Sequence, residues 1–96
     1  MLVIDYPSVE LLESTHTFPG EYMFKAFGDA DGRFAGRVIA AVRSEVAEDH
    51  EPAVRIRRTA SGRHVCVTIE PVVSDANQVL AIYERIYALD GLVMVW

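Results

Sequence analysis

Apolar and polar residues alternate or recur along most of this chain with a definite period, and the period changes several times. Tyr22, Phe24 and Ala26 alternate with Met23, Lys25 and Phe27 after the Phe18-Pro19-Gly20 turn signal, which predicts a strand at about 21–28. Phe34, Val38, Val42 and Val46 then recur every four residues with Ile39 beside them, and Arg33, Arg37, Arg43, Glu45 and Glu48 take the other faces. That predicts an amphipathic helix at about 31–48, stopped by the acidic 48–51 run and Pro52. Val54 and Ile56 alternate with Arg55 and Arg57, giving a strand at about 53–59. After Ala60-Ser61-Gly62, the positions Val65, Val67 and Ile69 alternate with Cys66, Thr68 and Glu70, giving a strand at about 63–72. The short glycine-containing connection makes these two a hairpin. Ser74 reads as the N-cap of a second helix whose inner face carries Val79, Ile82, Tyr83 and Ile86, and Asp90-Gly91 closes it. Leu92-Val93-Met94-Val95-Trp96 is an apolar last strand.

The order is β-α-β-β-α-β, the split βαβ or ferredoxin-like pattern. The expected fold class is α+β: a four-stranded antiparallel sheet, its first and third strands central, with two helices on one face. Residues 1–17 carry no sustained period and read as a lead-in, with at most a helical turn at Val9–Glu13. Residues 18–96 form the single domain.

Alternation assigns the strand residues to two faces. Tyr22, Phe24, Ala26, Ile56, Val67, Ile69, Leu92 and Met94 suit the helix side. The uncovered face then holds Met23, Lys25 and Phe27, Arg55 and Arg57, His64, Cys66, Thr68 and Glu70, and Val93 and Val95. An apolar patch of Met23, Phe27, Val93 and Val95 beside Lys25, Arg55 and Arg57 is the candidate interface, with His64 next to it. A homodimer across this face sets Glu70 of one copy near an arginine of the other. Alternatively, residues 1–17 fold back over it through Leu11 and Leu12.

Composition narrows the function. The chain has 96 residues, 51% hydrophobic and 24% charged, enough for one modest core. Fourteen acidic against nine basic residues leave a net charge of −5, a poor match to nucleic acid. RNA-binding sheets of this topology stack bases on third-strand aromatics, whereas the positions here are His64, Cys66, Thr68 and Glu70. Cys66 is the single cysteine, so no disulfide joins residues of the chain. No apolar run approaches the ~20 residues of a membrane span, and Met1-Leu2-Val3-Ile4-Asp5 lacks the basic start of a secretory signal. The expectation is a cytoplasmic protein without membrane or nucleic-acid contacts.

Candidate chemistry is sparse. His16, His50 and His64 are scattered and show no metal-ligand spacing. His64 and Cys66 share a strand face but lack an orienting third group, so no catalytic residue and no cofactor is expected. Arg55, Arg57, Arg58 and Arg63 crowd one hairpin, either as an anion or acidic-partner site or as charges that blunt an edge strand. The Gly28-Asp29-Ala30-Asp31-Gly32 loop enters a helix whose free N–H groups suit an anion.

Phe18-Pro19-x-x-Tyr22-x-Phe24-Lys25-x-x-Gly28, the hairpin Ser61-Gly62-x-His64 with Val65-Cys66-Val67-Thr68-Ile69, then Gln78-Val79-x-x-x-Tyr83-Glu84 and Val93-Met94-Val95 form an ordered series. From Leu11 to Trp96 this series resembles the YbeD-like family of small bacterial proteins of unknown function. The chain differs in having His64 where the family usually has Tyr, Arg58 in place of a Pro, and extra residues at 14–17. The resemblance implies a ferredoxin-like fold similar to ACT-type regulatory domains, which bind small effectors and pair through sheets or helices. Asp29-x-x-Gly32-x-Phe34 is similar to the ACT loop, with Asp31 in place of its Pro. Two readings stand. One is a non-catalytic regulatory or protein-interaction domain acting through its open sheet face. The other is a sensor of a small anionic effector that uses Gly28, Asp29, Asp31 and Gly32.

Overall fold

The computed structural model describes residues 7–47 and 51–96. Its elements run α1 (Val9–Thr15), β1 (Gly20–Glu21), β2 (Phe24–Asp29), α2 (Phe34–Arg43), β3 (Ala53–Arg58), β4 (His64–Glu70), β5 (Val72–Val73), α3 (Ala76–Tyr87) and β6 (Leu92–Val95). Met1 to Tyr6, Glu48 and His50 lie outside the described residues, and with them the expected C-terminal limit of the first long helix.

Four strands form one sheet in the order β3-β4-β2-β6, every neighbouring pair antiparallel. Alternation is sharp in the two central strands because only one of their faces is dry. Phe24 and Ala26 of β2 and Val65, Val67 and Ile69 of β4 are buried, while their neighbours are half-exposed. α2 and α3 pack on this buried face and against each other. α2 contributes Phe34, Val38 and Val42, and α3 contributes Val79, Ile82, Tyr83 and Ile86.

α2 is shorter than its hydrophobic period predicts. The helix stops at Arg43, the Ser44 hydroxyl bonds the Ala41 carbonyl, and Val46 reaches the core from a turn. α3 begins one residue later than expected. Asp75 is the N-cap, accepting from the Gln78 N–H at 2.8 Å, and the Gln78 side chain accepts in return from the Ser74 N–H. Its end also differs from the expected Asp90-Gly91 closure: α3 stops at Tyr87 with Ala88 as its C-cap, and Gly91, at φ 87°, serves the turn into β6.

Two features were not expected. Pro71 ends β4, because a proline cannot donate to the ladder, and Val72–Val73 leave to pair with Gly20–Glu21 as a separate ribbon. The lead-in also forms a true helix. Ser8 caps α1, and Leu12 is only 2% exposed in the main core, on the α3 side. The segment 9–15 therefore joins the helical layer. It does not cover the open face of the sheet, and Leu11 stays exposed.

Candidate functional site

Strand register fixes what the open face presents. Lys25 lies opposite Thr68 and Phe27 opposite Cys66; Arg55 lies opposite Thr68 and Arg57 opposite Cys66. Residues directly opposite share a face. Lys25, Arg55, Arg57, Cys66 and Thr68 consequently line one shallow cavity of about 130 Å³. Arg55, Arg57 and Lys25 have no ion-pair partner among the described residues, whereas Arg37, Arg43 and Arg85 each hold a carboxylate. In an acidic chain, three cations without a carboxylate partner among the described residues are thus gathered on one side of one face.

The other half of the face is apolar, but its members differ from those expected. Ala26 pairs with Val95 and Phe27 with Met94, and the register slips between Phe27 and Gly28. Val95 is therefore turned into the core at 9% exposure, and Met94 takes the open position at 51%. The expected placement of these two residues is reversed. A β-bulge adds a residue to one strand and inverts the in-out phase beyond it, and Val93 sits in that bulge, exposed. Trp96 joins the same face. It exchanges both backbone hydrogen bonds with Lys25, at 2.8 and 2.9 Å, and is half-exposed. Met23 is exposed just before β2. The His64 ring stacks on Phe27 with centroids 5.0 Å apart and planes 25° apart. Its backbone is anchored to Thr59, closing the hairpin.

Trp96 and Met94 escaped the sequence reading because five consecutive apolar residues carry no phase.

The loop after β2 is used by the protein itself. Asp31 accepts hydrogen bonds from the Arg33 and Phe34 N–H groups at 2.8 and 2.9 Å and pairs with Arg37 at 3.2 Å. These backbone bonds, foremost that from Arg33, hold its carboxyl below the ordinary value of 3.8. The N–H groups that would receive an anion already hold one. Gly28 and Gly91 let the Phe34 ring close over the backbone, and Asp29 donates its N–H to the Gly91 carbonyl. Gly32 takes φ 82° beside open space. Among the described residues, no three His, Cys, Asp or Glu side chains are grouped as metal ligands, and no helix is long and apolar enough to cross a membrane.

Residues 13–96 match the family described as "Protein of unknown function (DUF493)". A UPF0250 protein of Shewanella halifaxensis (strain HAW-EB4) is 30% identical over 90 residues, covering 94% of this chain and 96% of the relative. A UPF0250 protein of Shewanella amazonensis (strain ATCC BAA-1098 / SB2B) is 30% identical over 75 residues, covering 78% and 83%. The chain belongs to the DUF493 family of small bacterial proteins, the YbeD-like family its sequence resembles.

Proposed function

We propose that this chain is a non-catalytic interaction domain, cytoplasmic and regulatory in role, that works through the open face of its sheet. The carrying observation is the division of that face. Phe27, Met94 and Trp96 offer apolar area beside a cavity ringed by Lys25, Arg55 and Arg57, and neither α2, α3 nor α1 covers it. Apolar area with adjacent unpaired charge suits a protein partner, whose apolar side chains pack on one half while its carboxylates enter the other. That partner is a second copy or another protein. The strand order and the two helices on one layer support classing the fold as ferredoxin-like and ACT-like.

An effector-sensing loop is less well supported. An anion at the start of α2 has to displace the Asp31 carboxylate from the same N–H groups.

The test substitutes Phe27→Glu. Light scattering across micromolar concentrations and affinity capture from a bacterial lysate are run on both proteins. The expected result is that wild type self-associates or retains a partner, and that the variant loses this with its melting temperature unchanged. A variant that keeps every association overturns the proposal.

A further inference from the structure

β3 is an edge strand, and all six of its residues are exposed. Its two faces differ in chemistry. Val54 and Ile56 lie opposite Ile69 and Val67, so they continue the core face of the sheet, yet they are 39% and 52% exposed because the helical layer stops short of them. Arg55 and Arg57 continue the open face. Arg58 donates to the Gly62 carbonyl at 3.2 Å and steadies the hairpin. Half of the backbone N–H and C=O groups of an antiparallel edge strand point away from the sheet and are available to another strand.

The charge pattern discriminates between occupants. Two copies of β3 can pair antiparallel about a two-fold axis with five residues overlapping only when centred on Arg55 or on Ile56. The first register sets Arg55 against Arg55, and the second sets Arg55 against Arg57 twice. Like charges directly opposite are destabilising, so this edge rejects its own copy. An incoming strand with carboxylates opposite Arg55 and Arg57 and apolar side chains over Val54 and Ile56 meets complementary chemistry on both faces.

We infer that β3 receives an extended acidic segment of a partner protein, alternating apolar and carboxylate residues, which adds to the sheet by strand pairing. The inference deepens the interaction reading above and does not depend on the apolar half of the open face.

The probe is a capped peptide of alternating valine and glutamate, matched in length to β3, with a valine–lysine peptide as control. Binding to the isotope-labelled full chain is followed by amide hydrogen exchange. The valine–glutamate peptide is expected to slow exchange at alternate amides of residues 53–58. It is expected to bind about tenfold more tightly than the lysine control, from two charge pairs each changed from opposite to like. Arg55→Glu with Arg57→Glu reverses that preference. If the double variant does not fold, the wild-type titration over a salt series decides, because the glutamate peptide must weaken with salt and the lysine peptide must not. Equal binding of both peptides, protection only outside β3, or concentration-dependent protection of β3 without peptide overturns the inference. Loss of the Phe27→Glu effect overturns the open-face reading instead and leaves peptide addition to β3 unchanged.

Discussion

Phe34 closes directly over Gly28. A Cβ at residue 28 would lie 2.5 Å from the Phe34 Cζ atom and 2.7 Å from the Gly91 carbonyl oxygen. One of these contacts is backbone and the other is a fully buried ring, so neither gives way cheaply. Gly28 is thereby a packing glycine of the β2–β6 junction. Gly28→Ala is expected to destabilise the fold by about 1–3 kcal/mol, the usual cost of overpacking a core. Urea denaturation measures it, and an unchanged midpoint would show that the junction tolerates a methyl group.

Tyr22 and Tyr83 share a hydroxyl–hydroxyl hydrogen bond of 3.1 Å between the β1–β2 connection and α3. Tyr22→Phe removes one partner and should cost about 1 kcal/mol in chemical denaturation. Burial first, then the Tyr22 hydrogen bond, pushes the Tyr83 phenol well above its ordinary value of 10.0. The sign follows from linkage. Above pH 10 the unfolded chain loses this proton while the folded chain keeps it, so stability is full below that pH and falls as pH rises beyond it. Tyr83→Phe should flatten that alkaline decline.

Asp31 is lowered rather than raised, so its effect runs the other way. Its contribution is present above the unfolded value near 3.8 and is lost as pH falls through the lower folded value. Asp31→Asn should lower the melting temperature at neutral pH, and the gap from wild type should close below pH 3.8. A gap that persists in acid would mean that the amide loses shape complementarity rather than charge.

The parts of this structure legible from sequence are those where one face is dry and the other wet. β2 and β4 alternate cleanly because the helices cover one side, and α3 shows its apolar stripe for the same reason, although its cap is Asp75 rather than the expected Ser74. The cationic side of the open face, Lys25 with Arg55 and Arg57, followed from that alternation. The β1–β5 ribbon did not, because a two-residue strand has no period and its existence depends on Pro71 breaking β4. α1 did not, because a seven-residue helix is stable only through Leu12, whose burial is a tertiary fact. For β3, sequence alternation correctly separated Val54 and Ile56 from the arginines, yet it cannot say how far the helical layer extends, and the apolar pair remains exposed.

The last strand offers the sharpest test of the bulge. In a regular strand joined to β2 without a slip, Met94 would point to the helices and Val95 to solvent; the observed register gives the opposite. Val95 is among the buried core residues and Met94 is half-exposed. Val95→Ala should therefore cost about 1–3 kcal/mol through lost burial and the cavity left behind. Met94→Ala should stay within about 0.5 kcal/mol, as surface substitutions do. The charged pair separates the two registers further, since Val95→Asp places an unpaired carboxylate in the core and Met94→Asp leaves one in water. Circular dichroism melts of the four variants decide the matter. Destabilisation by Met94→Asp with tolerance of Val95→Asp would restore the unbulged register, return Val95 to the open face and remove Met94 from the proposed contact surface.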